Sequence, residues 1–262
     1  MTFANVNGQQ IFFKDSGGAG PVVVLAHGFL MDQTMFDSQV AALSPEFRVI
    51  TWDERAFGQT KWDGKPFSYW DSAHDCLGLM DHLGINEAVV GGMSQGGFLS
   101  LRVALHAPKR VRALVLIDTA ADNDGPETLA AYRQMTETWF EHGPIPELAN
   151  VIANIIIADP KENEKWIAKW QTLPREAMRA ASECLLDRDD ITSRLGEIKC
   201  PAIIIHGTAD NAISMDRAEM LRKGLVGAEK IVTIEGAAHA SNLTHANLVN
   251  PPLVDFLRRV TK

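Results

Sequence analysis

Cysteine and tyrosine are scarce in this chain, three and two among 262 residues, and no uninterrupted apolar run exceeds five residues. The cysteines, Cys76, Cys184 and Cys200, cannot all pair and match no zinc spacing, so reduced structural thiols in a cytoplasmic protein are expected. A membrane helix needs about 20 apolar residues, so no span is expected. Positive charge is in deficit as well: 25 Lys and Arg against 33 Asp and Glu leave a net charge of −8. Such a chain offers no basic face to a phosphate backbone, and a nucleic-acid partner is not expected. The opening MTFANVNGQQIFFKD has neither basic leader nor apolar core, so no export signal is expected. The sequon at Asn242-Leu243-Thr244 is then without meaning. G-x-G-x-x-G, P-loop and H-E-x-x-H patterns are missing, and neither nucleotide, cofactor nor metal is implied.

What is present is alternation. Short runs rich in Val and Ile stand at 22–27, 47–52, 88–93, 113–118, 202–206 and 229–234, with amphipathic stretches such as 67–83 and 95–107 between them. Continuous β-branched runs suit strands covered on both faces, as in a parallel sheet with crossover helices. Ahead of them Asn7-Gly8 is a hairpin signal, which adds two antiparallel strands at the edge and brings the expected sheet to eight. The rhythm breaks over residues 121–196, where Trp139, Phe140, Ile152, Ile155, Trp166 and Trp170 recur at helical spacing and prolines cut the stretch into four or five helices. The expected organisation is an α/β core of residues 1–120 and 197–262, with a helical cap of residues 121–196 inserted after the sixth strand. Such a cap lies over the carboxyl edge of the sheet, where open α/β folds bind ligands. Trp139, Ile155 and Trp166 are its candidate substrate contacts.

The chemistry concentrates at Gly92-Met93-Ser94-Gln95-Gly96, a G-x-S-x-G between a strand and an amphipathic helix. A nucleophile on so tight a turn needs neighbours without Cβ atoms. The turn also sets the Gln95 N–H at a helix start, where unpaired amides attract a developing oxyanion. A serine of ordinary pKa needs a base. His239, in the small-residue loop GAAHA after the last run, is the candidate, and Asp210 in HGTAD supplies the carboxylate. The order Ser94, Asp210, His239 is the one expected with this elbow. Asp118, after the 113–118 run, is the alternative position for the acid. The second oxyanion donor is expected in His27-Gly28-Phe29-Leu30, from the Phe29 N–H, with His27 stabilising the turn.

With HGF, Trp52-Asp53-Glu54-Arg55, GMSQGG, HGTAD and GAAHASNL in place, the sequence resembles the α/β-hydrolase superfamily over nearly its whole length. Among its branches it is most similar to the 3-oxoadipate enol-lactonase-like serine hydrolases and esterases. The resemblance implies an α/β-hydrolase fold, a triad of Ser94, Asp210 and His239, and an oxyanion hole from the Phe29 and Gln95 amides. A serine at the elbow, where epoxide hydrolases and haloalkane dehalogenases carry aspartate, argues against those branches. Two positions depart from the family pattern: Ala56 stands for a glycine in D-x-R-G-x-G, and Gln95 for a commoner Met or Leu.

The expected activity is hydrolysis of a small to medium, partly hydrophobic ester or lactone through an acyl-enzyme on Ser94, by a monomer or homodimer. One alternative is a C–C hydrolase of ring-cleavage diketones, which needs an arginine such as Arg55, Arg102 or Arg133 in the pocket. The other is a ligand receptor built on the same triad.

Overall fold

The computed structural model describes residues 2–262, with nine strands and ten α-helices among them. Asn7 and Gly8 both take positive φ, so β1 (Thr2–Val6) folds back antiparallel on β2 (Gln9–Asp15). The parallel body follows: β3 (Val22–Ala26), β4 (Arg48–Trp52), β5 (Ala88–Met93), β6 (Val111–Ile117) and β7 (Pro201–Gly207). In space the order is β1-β2-β4-β3-β5-β6-β7.

Every residue of β5 is buried, and β3, β4 and β6 are buried nearly throughout, the pattern of strands covered on both sides. Alternate residues feed two separate cores. Val24, Ala26, Ile50 and Val90 face one, with Leu79 of α2 (after α1, Asp37–Leu43; α2 is Tyr69–His82) and Leu99 of α3 (Gln95–His106). Val23, Leu25, Val49 and Val89 face the other, with Leu43 of α1 and Phe256 near the carboxyl end.

Between β6 and β7 stand four helices: α4 (Pro126–His142), α5 (Pro146–Ile156), α6 (Pro160–Trp170) and α7 (Arg175–Leu186). Proline opens the first three and precedes the fourth, since its missing N–H costs nothing in a first turn. Then follow α8 (Met215–Gly224), β8 (Gly227–Ala228), β9 (Val232–Ile234), α9 (Ser241–Thr244) and α10 (Ala246–Val260).

The sheet has nine strands where eight were expected, because the short β8 lies just ahead of the last expected run, of which only Val232–Ile234 forms a strand. β8 pairs with Pro201–Ala202 and β9 with Ile205–Gly207. Between them Glu229 and Lys230 are exposed at the sheet's edge, and Glu229 turns to Arg259 at 2.7 Å.

From β3 the chain runs to β4 on one side, then returns to place β5 on the other. The loops leaving β3 and β5 therefore diverge at a switch point, the crevice where open α/β sheets hold ligands.

Candidate active site

At that crevice Ser94 has φ +53° and ψ −116°, a left-handed conformation uncommon for any residue but glycine. It is held there by its own N–H, which donates to Ile117, and by its carbonyl, which accepts from Gly97, Phe98 and the Thr119 hydroxyl. The flanking glycines are obligatory for space. A Cβ on Gly92 or on Gly96 would run into the Ala26 carbonyl oxygen, so only glycine lets α3 begin this close to β3.

His239 lines the same cavity as Ser94. Its Nδ1 lies 2.8 Å from Asp210 Oδ2, so the Nδ1–H donates to the carboxylate and Nε2 is left with its lone pair. Asp210 is held in turn, its Oδ1 accepting from the Ala212 and Ile213 amides at 2.8 and 2.9 Å. Burial disfavours the Asp210 charge, but His239 and these donors outweigh it and hold the carboxyl below its ordinary value. Burial likewise works against a charged His239. The Asp210 charge and hydrogen bond, with Asp118 behind them, reverse that and raise its pKa. Among the described residues no hydrogen bond joins Ser94 Oγ to His239, and such catalytic contacts are often long before substrate binds.

Asp118, the alternative acid, is engaged elsewhere. One oxygen accepts from the Gly207 N–H at 2.8 Å, and the other from the Ser241 N–H at 3.1 Å and hydroxyl at 2.5 Å. It thereby ties the loop carrying His239 to the end of β7. Burial and the neighbouring Asp210 charge push its pKa up to about 7. Asp118, His206 and Asp210 stand near enough to share a cation. Both carboxylates already accept the protein donors above, and the His206 Nε2–H donates to the Ile213 carbonyl at 2.9 Å, while its Nδ1 has no hydrogen-bond partner among the described residues.

The backbone N–H groups of Phe29 and Gln95 donate to no protein acceptor among the described residues. His27 braces the Phe29 turn as expected of it: Nδ1–H donates to the Gly28 carbonyl at 2.8 Å, and Nε2 accepts from the Glu54 N–H at 3.0 Å. Burial holds it below its ordinary pKa. Ala56 takes φ +70°, the conformation that suits the glycine it replaces.

The family description "alpha/beta hydrolase fold" matches residues 21–246. The chain belongs to the α/β-hydrolase family. A bifunctional esterase/perhydrolase of Acinetobacter calcoaceticus is 26% identical over 276 residues, 96% of this chain and 97% of that protein. Two solved structures superpose with TM-scores of 0.89. A thermophilic esterase from Thermogutta terrifontis is 29% identical, covering 100% of this chain and 98% of its own. An enol-lactonase from Burkholderia xenovorans is 28% identical, covering 98% of this chain and 100% of its own.

The cavity walls come from the β3 loop (Phe29, Leu30), the elbow (Met93, Phe98), and the helices between β6 and β7, with Ile152, Ile155 and Ile156 from α5. Ile155 thus stands where substrate contact was expected. Trp139 and Trp166 do not: both are buried side chains packed between the inserted helices and the body, away from the cavity wall. Helical spacing identifies the apolar face of a helix, not which neighbour that face meets.

None of the three arginines considered for a polar subsite is in the cavity. Arg55 pairs with Asp75, Arg102 with Asp189 and Arg133 with Asp187. The arginine on the wall is Arg188, in the charged stretch Asp187-Arg188-Asp189-Asp190 that reads in sequence as a solvated turn. It donates to Asp124 Oδ2 at 2.9 Å and to the Leu185 and Asp122 carbonyls. Tyr132 joins it on the wall, and nothing in its helical surroundings marks it in sequence.

The cysteines are free, and burial pushes the Cys76 thiol up to about 12 and Cys200 to about 11. Thiols so disfavoured as thiolates are poor nucleophiles. No helix among the described residues is long and apolar enough to cross a membrane.

Proposed function

We propose that this protein is a serine hydrolase acting on neutral, partly hydrophobic carboxylic esters or lactones, with Ser94 as nucleophile, His239 as base and Asp210 as its orienting acid. The observation that carries the reading is one constellation. A serine on a left-handed elbow shares a cavity with a histidine whose far nitrogen is bound to a carboxylate. The names of the relatives, an esterase and an enol-lactonase, support the bond class.

In this mechanism Ser94 Oγ attacks the ester carbonyl while His239 Nε2 takes its proton. The tetrahedral oxyanion lies between the Phe29 and Gln95 amides, each of which contributes about 3 kcal/mol to the transition state. Asp210 keeps the proton of neutral His239 on Nδ1 and stabilises the imidazolium. His239 returns the proton to the leaving alcohol or enol, and water then cleaves the acyl-enzyme by the same route. The helices between β6 and β7 act as the lid that excludes bulk water.

The neutrality of the substrate follows from the wall. Its sides are largely aliphatic and aromatic, and its arginine, Arg188, is committed to Asp124 and two carbonyls. Arg217 fills the other oxygen of Asp124 at 2.7 Å. A substrate carboxylate would find no uncommitted cation among the described lining residues, and its desolvation would go uncompensated. The free cysteines suit a reducing compartment, which we take as the setting.

Steady-state hydrolysis of nitrophenyl esters of rising acyl length, together with small and large lactones, tests the reading. Many turnovers per enzyme are expected, with a short to medium optimum. In Ser94→Ala, kcat is expected to fall by roughly a million-fold. Turnover surviving that substitution would refute the mechanism, and a single-equivalent burst without turnover would refute the enzyme.

A further inference from the structure

The lid does more than cover the cavity: we infer that its α5–α6 hairpin is a brace fastened to both catalytic loops, with Trp170 the positioning residue for the oxyanion hole. The inference rests on the mechanism proposed above, and it concerns what holds the Phe29 amide and the His239 ring in place.

One end of the brace reaches the oxyanion loop. The Trp170 indole N–H donates to the Leu30 carbonyl at 2.7 Å, in a contact buried from water. One residue earlier in the helix, Lys169 Nζ donates to Asp32 Oδ2 and Thr34 Oγ1, both at 2.7 Å. The loop needs such a hold. Leu30 has φ +62°, in a turn closed by the Met31 N–H on the Gly28 carbonyl at 3.0 Å. A leucine stays in that region only when its surroundings over-determine it. The Gly28 carbonyl that closes the turn belongs to the same peptide as the Phe29 N–H, so the direction of that donor depends on the turn that Leu30 completes.

The other end reaches the base loop. The Ala240 N–H, next in sequence to His239, donates to the Ile156 carbonyl at the end of α5, at 2.7 Å. Both bonds come from residues of one hairpin, and α5 also lines the cavity through Ile152, Ile155 and Ile156. Substrate pressing on α5 therefore bears on the element that fixes both the donor and the base. Without the brace the cavity would still bind substrate, while the oxyanion would meet a misdirected amide.

The same helix supplies a matched control. Trp166 is as buried as Trp170, yet its indole N–H has no hydrogen-bond partner and its ring is off the cavity wall. Replacing either tryptophan by phenylalanine removes the same atoms from the same helix, and only Trp170→Phe removes a bond to the oxyanion loop.

The experiment measures kcat, KM and the affinity for a boronic acid that forms a tetrahedral adduct on the serine. In Trp170→Phe, kcat is expected to fall between about tenfold and a hundredfold, as for a catalytic group displaced by about 1 Å. KM should stay within about twofold while boronate affinity weakens in step with kcat. Trp166→Phe should keep kcat and boronate affinity within about twofold, at a similar loss of thermal stability. Equal effects of the two substitutions on kcat would overturn the inference, as would a Trp170→Phe defect confined to KM. If Trp170→Phe does not fold, Lys169→Met decides: a several-fold fall in kcat at constant KM supports the brace, and unchanged kcat overturns it. Ser94→Ala keeps the two readings apart. Its inactivity beside an unaffected Trp170→Phe would sink the brace alone, whereas its activity would sink the mechanism and the brace with it.

Discussion

Two carboxylates lie behind His239, and replacing each by its amide should have opposite consequences. Asp210 Oδ1 accepts from two backbone amides, at 2.8 and 2.9 Å. In Asp210→Asn the amide oxygen must keep that position, so the NH2 group takes the place of Oδ2 and points at His239 Nδ1. It can only donate there, which forces the imidazole proton onto Nε2 and removes the base. A wrong tautomer of this kind costs about 10⁴ in kcat in a serine protease. Stability should change little.

Asp118→Asn meets a different problem. Both of its oxygens receive protein donors, from Gly207 on one side and Ser241 on the other. The amide has one oxygen, so its NH2 faces a backbone N–H whichever way it turns. At about 1–3 kcal/mol for each buried donor left unmet, about 3 kcal/mol of stability should be lost. The Asp210–His239 pair remains, and kcat should stay within about tenfold of the parent. Urea denaturation and steady-state hydrolysis of one activated ester read both quantities. If Asp118→Asn abolishes turnover while Asp210→Asn does not, the assignment of the acid is wrong.

The remaining predictions concern pH, space and a buried ion pair. Because Asp210 and Asp118 raise the His239 pKa, the acid limb of kcat/KM should lie above about pH 6.5. In Asp118→Asn it should move to lower pH, and an unmoved limb would remove Asp118 from the electrostatics of the base. Asp118 itself is raised to about 7, against about 3.9 when unfolded. The folded state therefore keeps a proton that the unfolded chain releases, and this contribution to stability is lost as pH rises from about 4 through about 7. Urea titrations should show that slope in the parent and a flatter one in Asp118→Asn. Gly96→Ala places a Cβ against the Ala26 carbonyl and should give no active soluble protein, so a normal kcat would contradict the packing described. Arg55→Met leaves Asp75 buried and without its partner, which should cost about 3–5 kcal/mol. Turnover by the folded fraction should persist, because the pair is away from the cavity.

The most legible parts of this protein were those whose determinants are local in the chain. The glycines around Ser94 announce a strained turn because the clash they avoid arises within one strand–turn–helix unit. Val- and Ile-rich runs marked the parallel strands because burial on both faces requires them. The prolines at 126, 146 and 160 open helices, and Pro174 precedes one, because a first turn needs no N–H from them. Asp210 and His239 could be named because each follows a strand, and strand ends converge on one edge of the sheet.

What the sequence could not supply depends on which surfaces meet. Trp139, Trp166 and Trp170 are alike in periodicity, yet none of them lines the cavity, and of the three indole N–H groups only that of Trp170 donates to the loop after β3, at the Leu30 carbonyl. Arg188 sits in a run of aspartates that resembles a solvated turn until Asp122 and Asp124, more than sixty residues earlier, fold against it. Asp118 looked like a rival acid until Ser241, 123 residues later, closed on it. Local sterics and hydrophobic period therefore determined most of the sheet and the elbow. Tertiary packing alone decided which polar groups were spent on one another and which remained free for substrate, because a hydrogen bond between distant segments leaves no periodic trace in either.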